Sequence, residues 1–285
     1  MAEVIISTHG ASFADVVAIA RDGAKVVISK ESLAAMQKSR DHVEALAASD
    51  TPVYGISTGF GALANRHVST DLRTQLQRSL IRSHAAGVGA PVEVEVVRAL
   101  MALRLKTLAS GRTGVRPIVA ETMAAILNAG ITPLVREFGS LGCSGDLAPL
   151  AHCALVLMGE GEAVGKDGVA KPVAQLLKAA GIEPVQLAEK EGLALINGTD
   201  GMLGMLILAI HDLRTLVDSA DVVAAMSVEG LLGTDRVFIP ELHAPLRSHP
   251  GQATSAARML ATLAGSGIVA SHLHNDDRVQ DAYSL

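Results

Sequence analysis

The sequence predicts a mainly α fold, with an N-terminal globular part that contains short strands, followed by a bundle of long helices. Two observations carry this. Hydrophobic residues make up 49% of the 285 positions and charged residues only 19%, an excess that calls for extensive helix-on-helix burial or for surface covered by another subunit. No proline interrupts the chain from Gly192 to Gly233, and Gly201 to Ile210 is apolar all round, as in a long helix buried in a bundle or between subunits. The division expected is residues 1–111 as the mixed globular part and 112–285 as the first part of a central helical bundle.

Taken in order, Val4 to Ser7 reads as a strand, and Ser12 opens a helix in which Phe13, Val16, Val17 and Ala20 share a face. Lys25 to Ser29 reads as a second strand and Ser32 to Ala48 as a helix. The Thr51-Pro52 turn then leads into a glycine-rich loop, Tyr54-Gly-Ile-Ser-Thr-Gly-Phe-Gly61. Leu72, Leu76, Leu80 and His84 recur every four residues with Arg78 and Arg82 on another face, which predicts a helix that points His84 inward and stops at Gly87. Pro91 is expected to open the next helix, with Glu93 and Glu95 beside the positive end of its dipole and Gly111 closing it. A third helix begins near Pro117 and stops at Asn128 to Gly130.

Composition excludes several classes of function. With 24 basic against 29 acidic residues the net charge is −5, so no nucleic-acid surface is indicated and a small substrate is expected. Cys143 and Cys153 make neither a disulfide framework nor the paired spacing of a zinc site, which fits a reducing cytoplasm. The start has no basic segment before its apolar patch, so no secretory signal is expected. Uncharged runs such as Thr122 to Val135 fall short of the ~20 residues that cross a bilayer, so no membrane association is expected.

The most informative segment is Gly139-Ser-Leu-Gly-Cys-Ser-Gly-Asp-Leu-Ala-Pro-Leu-Ala-His152. Its glycines lead directly into an apolar helix. Asp146 is a natural N-cap, and Pro149 falls in the first turn, where its missing N–H has no intrahelical partner. Ser144 therefore sits just before a helix N-terminus. Read locally, the segment is open to three interpretations: a serine-hydrolase elbow with its second glycine one position early, a phosphate cradle without its lysine, or a glycine-rich turn before a capped helix. His272-Leu-His-Asn-Asp-Asp277 offers metal-ligand types, and Asp146 with His152 suggests a relay to Ser144, although a cap explains Asp146 more simply.

Five blocks resolve these alternatives by resemblance. Pro52 to Gly61, Ser83-His-Ala-Ala-Gly-Val-Gly89, Gly139 to His152, Lys190-Glu-Gly-Leu-Ala-Leu-Ile-Asn-Gly-Thr199 and Val279-Gln-Asp-Ala-Tyr-Ser-Leu285 resemble, in order, the motifs of the aromatic amino acid ammonia-lyases and aminomutases. The Ser83-His84 pair resembles the branch that acts on histidine. The resemblance implies a prosthetic group, 4-methylideneimidazol-5-one, formed autocatalytically from Cys143-Ser144-Gly145: the Gly145 nitrogen closes on the Cys143 carbonyl carbon, and Ser144 loses water. Cys143 stands where alanine is usual, but its side chain lies outside the new ring. No metal is implied. Tyr54 corresponds to the base that acts on the substrate β-carbon, and Tyr283 with Gln280 to a pair beside the prosthetic group and substrate. Asn197 corresponds to an asparagine that hydrogen-bonds both, and His84 to a residue of the substrate pocket.

The implied activity is elimination of ammonia from L-histidine to give urocanate by a cytoplasmic homotetramer whose sites draw residues from several subunits. The alternatives are a tyrosine or phenylalanine lyase or aminomutase, or a catalytically incomplete structural fragment. By the same resemblance the family pattern continues past Leu285 with a substrate-carboxylate arginine, and Ala282 stands where proline is usual. The chain thus reads as an N-terminal portion.

Overall fold

Two parallel strands, β1 (Glu3–Ile6) and β2 (Lys25–Ile28), pair from Glu3 opposite Lys25 to Ile6 opposite Ile28. The crossover between them is α1 (Phe13–Ala20), started by a capping box: the Ser12 hydroxyl accepts from the Asp15 N–H, and the Asp15 carboxylate accepts from the Ser12 N–H. Its buried face is Val16, Val17, Ile19 and Ala20, so Phe13, one turn ahead at the helix start, is left 46% exposed rather than sharing that face as expected. This computed structural model describes residues 2–141, 144–274 and 276–282. The chain divides into two compact units, Met1–Leu208 and Ala209–Leu285.

Within the first unit, α2 (Lys30–Ala47) is capped by the Ser29 hydroxyl, and a turn-rich segment leads to α3 (Thr70–His84). The buried face of α3 is Arg73, Gln77, Leu80 and Ile81, not the expected row from Leu72. Polar side chains displace leucines there because they satisfy backbone groups from distant segments. Arg73 donates to the carbonyls of Val68 at 3.2 Å and Ala47 at 2.7 Å, and the Gln77 side-chain carbonyl accepts from the Gly192 N–H at 2.9 Å. Pro91 does not open a helix. It ends β3 (Val88–Pro91), opposite Arg136, and α4 (Val94–Ala109) starts three residues later.

The central element of this unit is α4, shielded on all sides, with Ala99, Met101, Leu105, Leu108 and Ala109 fully buried. Pro117 opens α5 (Pro117–Ala129), and Gly130 at φ +71° closes it in the left-handed conformation that favours glycine. Short strands follow that helical periodicity could not show: β4 (Thr132–Pro133) and β5 (Arg136–Phe138), then β6 (Glu162–Val164) and β7 (Ala170–Pro172) after α6 (Leu147–Leu157). β3 pairs with β5, and β4-β6-β7 form a three-stranded antiparallel sheet. Next come α7 (Val173–Ala180), α8 (Glu191–Ile196) and the 31-residue α9 (Asp200–Gly230), which starts in the first unit and ends in the second.

Glu191, at the start of α8, is fully buried and saturated with donors. Its carboxylate accepts from the Arg116 backbone N–H at 2.9 Å, from Arg116 Nε and Nη2 at 2.8 Å each, and from the Ala188 N–H at 2.7 Å. Removing the carboxylate leaves the N–H groups of Arg116 and Ala188 without their acceptor, while the part-exposed Arg116 guanidinium can turn to water, so Glu191→Ala is expected to lower stability by about 2 kcal/mol. A denaturant titration of both proteins measures this as a lower midpoint at unchanged slope.

The second unit holds the remainder of α9 with α10 (Pro240–His243), α11 (Pro250–Leu263) and α12 (Gly267–Ser271), around a small core of Ala225, Val228, Leu263 and Val269. Apolar side chains remain exposed along α9, among them Met202, Met205 and Leu206, then Leu213, Leu216 and Val217. By length and composition the stretch Glu191–Gly230 is apolar enough to cross a bilayer, with a mean hydropathy of 1.7 in its most apolar window, 39% of which is buried. A search for uncharged runs does not register this stretch because Asp200 divides it.

Candidate functional site

β5 leads straight into the Gly139–His152 segment, and its pairing with β3 lays the Ser83–Gly89 block alongside the entrance. Gly139 makes this approach possible: a Cβ there would stand 3.3 Å from the Gly87 Cα and 3.1 Å from the Ala148 Cβ. The Leu141 N–H donates to the Gly145 carbonyl at 3.3 Å, folding the chain back on itself, with Gly145 at φ +85°. The Ser144 hydroxyl is buried and has no hydrogen-bond partner among the described residues. Such a group forfeits its hydration without return, which is unusual in a native interior. Cys143, like Tyr283, lies outside the described residues.

Asp146 occupies the N-cap position of α6, yet its side chain caps a different helix. Its Oδ2 accepts from the N–H groups of Gly201 at 2.8 Å and Met202 at 3.1 Å, the first turn of α9. The cap read from sequence is thus corrected. A carboxylate two residues from Ser144 ties the loop to the turn between α8 and α9, because those orphan amides outcompete the local ones for a buried acceptor. Asn197 stands in that turn as the C-cap of α8. It is exposed, and its side-chain amide makes no hydrogen bond to the described residues. Arg104 of α4 donates from Nη1 to the carbonyls of Ala194 at 3.0 Å and Asn197 at 3.4 Å, and from Nη2 to the Asp200 carboxylate. Burial pushes the Asp200 carboxyl up, against the opposing pull of Arg104.

His84 ends α3 half-buried. Its Nδ1 lies 2.9 Å from the Leu80 carbonyl, to which an Nδ1–H can donate, and 3.0 Å from the Ser83 hydroxyl. His152, on α6, accepts the Gly87 N–H at Nε2 over 3.1 Å, joining the Ser83–Gly89 block to the helix behind the loop. No relay to Ser144 forms. Burial first, and then the positive charge of Arg136, hold His152 below the ordinary histidine range. Because the folded value is depressed, the unfolded chain binds the extra proton. The contribution to stability is full above about pH 6.5 and is lost as pH falls from there towards the folded value. Acidification through that window is expected to lower the thermal midpoint, and His152→Asn to flatten the dependence, as a pH series of melting curves records.

Tyr54 is half-exposed. Its hydroxyl accepts from the Gly61 N–H at 3.3 Å and its ring meets Phe60 edge-on, with centroids 6.1 Å apart. The loop is seated on α8: a Cβ at Gly55 would lie 2.8 Å from Leu193. Three of the five sequence blocks are therefore joined, directly or through α8, to the block that carries Ser144, although no hydrogen bond among the described residues links Tyr54, His84 or Asn197 to Ser144 itself. Gln280 lies in the second unit, exposed at the edge of a cavity of about 970 Å³ lined also by Phe238, His272, Arg278 and Asp281. Beside it Arg278 holds Asp276 down at about 2, and the His272 ring contacts the Gly233 carbonyl. Among the described residues no group of three or more His, Cys, Asp or Glu side chains could hold a metal ion. Sequence reasoning missed Arg104 and Gln77; an arginine set between Leu103 and Leu105 in a largely apolar helix was the available signal.

A histidine ammonia-lyase from Streptomyces coelicolor is 64% identical over all 285 residues, which cover 56% of that protein. Among solved structures, tyrosine aminomutase from Streptomyces globisporus superposes with a TM-score of 0.86 at 38% identity, over 99% of this chain and 55% of that one. Histidine ammonia-lyase from Trypanosoma cruzi gives 0.83 at 34% identity, over 91% of this chain and 50% of that one. The chain thus spans little more than half the length of the curated relatives it matches. The family model for aromatic amino acid lyases matches residues 11–285, with the Ser144 loop and the blocks packed around it inside the match. The chain belongs to the aromatic amino acid lyase family.

Proposed function

We propose that this chain serves a histidine ammonia-lyase, which eliminates ammonia from L-histidine without oxidation to give urocanate. The observation that carries the reading is the 64% identity across the whole chain with a histidine ammonia-lyase, against 44% for a tyrosine ammonia-lyase of Cupriavidus metallidurans. The prosthetic group of the family, 4-methylideneimidazol-5-one, would derive from Cys143-Ser144-Gly145. The described residues fit it: the Ser144 hydroxyl makes no hydrogen bond that its loss would break, and the Leu141–Gly145 hydrogen bond already folds the loop tightly. Once formed, the group supplies an electrophile that makes the substrate nitrogen a better leaving group.

The remaining work falls to side chains. Tyr54 takes the β-proton at its hydroxyl oxygen, whose position the Gly61 N–H fixes. Asn197 offers both donor and acceptor to the bound amino acid, and His84 faces its side chain from the end of α3. Gln280 and Tyr283 are assigned to the prosthetic group and substrate by the family motif they match. The exposed apolar side chains of α9 are covered by further copies in a homotetramer of the soluble, cytoplasmic kind. Purified protein offered L-histidine, L-tyrosine and L-phenylalanine in turn tests the assignment through the absorbance of each conjugated product. Urocanate from histidine is the expected outcome. Activity confined to tyrosine or phenylalanine would overturn the substrate, and none on any of the three would overturn the lyase reading for this chain.

A further inference from the structure

Arg104 is one of the deeply buried arginines of the first unit, with Arg40 and Arg98, and it is the one whose acceptors lie in the turn beside the Ser144 loop. Its side chain is 3% exposed, and its two Nη atoms reach the carbonyls of Ala194 and Asn197 and the carboxylate of Asp200, three acceptors that bracket the whole turn from α8 to α9. The turn is shaped around it. A Cβ on Gly198 would overlap Arg104 Nη2 and the Asp200 carboxylate, so the glycine after Asn197 is required by the approach of the guanidinium. From Asp200 the connection continues without a gap: the next two amides, of Gly201 and Met202, are held by Asp146, two residues from Ser144.

We propose that Arg104 is a positioning residue for the reaction, fixing the Asn197–Asp200 turn, and with it the Asn197 amide, relative to the Ser144 loop. It touches no substrate. Its planar fork spreads rigid donors from the two carbonyls to the carboxylate, a span that a compact ammonium does not match although it too carries three donors. Arg98, on the same helix and also buried, gives the contrast: it donates to the carbonyls of Ile19, Ala20 and Leu127, none of them in the site, so its role is packing alone.

This inference rests on the lyase reading for its kinetic arm and stands apart from it in the other. Arg104→Lys keeps the charge beside Asp200 and gives up the fork. Hydrogen exchange of peptides spanning 191–202 is expected to rise about tenfold in Arg104→Lys, while α5 stays protected, and Arg98→Lys leaves 191–202 unchanged. Turnover per prosthetic group, counted by borohydride-sensitive absorbance, is expected to fall about 30-fold in Arg104→Lys with KM changed less than about threefold. Arg104→Lys combined with Asn197→Ala should be no slower than Asn197→Ala alone, because both remove the same interaction. Should Arg104→Lys not fold, Gly198→Ala displaces the guanidinium from the other side and should reproduce the exchange and turnover pattern. Unchanged exchange in 191–202, turnover no lower than that of Arg98→Lys, or losses that multiply in the double variant would each overturn the proposal. A wild-type protein that eliminates nothing would overturn the lyase reading instead, and the exchange arm would still decide the role of Arg104.

Discussion

Ser144→Ala is expected to lower turnover of L-histidine by on the order of a thousandfold or more, because it removes the atom whose loss creates the electrophile, and no other described side chain replaces it. Stability should scarcely change. The Ser144 hydroxyl is buried without a partner among the described residues, so exchanging it for a hydrogen on Cβ removes a desolvated polar atom and breaks no hydrogen bond to them. The variant is therefore a clean separation of chemistry from folding. Near-ultraviolet difference absorbance, which no tryptophan obscures, should vanish with the activity while the melting curve stays in place. Persisting turnover in the folded variant would exclude Ser144 as the source of the electrophile.

Tyr54→Phe is expected to have the next largest effect, a fall in kcat of about 10²- to 10⁴-fold, the range over which a positioned general base contributes. The ring contact with Phe60 survives the substitution, and the Gly61 N–H that loses its acceptor lies in a part-exposed loop where water replaces it. KM should move little, since the hydroxyl acts on a proton rather than on binding. Steady-state kinetics at matched prosthetic-group content reads both constants. An unchanged kcat would remove Tyr54 from the chemistry and leave it as a packing residue of its loop.

Local signals in the sequence were read correctly where the chain carries its own instruction. Ser12 and Asp15 form a capping box within four residues, and Pro117 and Gly130 punctuate α5 through their own backbone preferences. The Ser144 loop was equally legible, since its glycines permit a turn that closes within the segment. Errors fall where the deciding partner is remote. Arg73 and Gln77 look like a solvated face until Ala47, Val68 and Gly192 are brought to them by the fold. Pro91 has the pattern of a helix start, and only pairing with Arg136 makes it a strand end. Asp146 is a cap in either reading, but the helix it caps begins at Asp200. The same physics hid Arg104, whose three acceptors lie on the far side of ninety residues of chain.

The most direct measurement is the intact mass of the purified protein, followed by peptide mapping across Cys143-Ser144-Gly145. Cyclisation removes one water and conversion of Ser144 a second, so a folded protein lighter than its sequence by two waters, both mapped to that tripeptide and both retained by Tyr54→Phe, is the result expected. Ser144→Ala, which has no hydroxyl to eliminate, should be lighter than its own sequence by at most one water. A folded protein of unmodified mass with a linear tripeptide at 143–145 would contradict the proposal, since the site would then hold no electrophile.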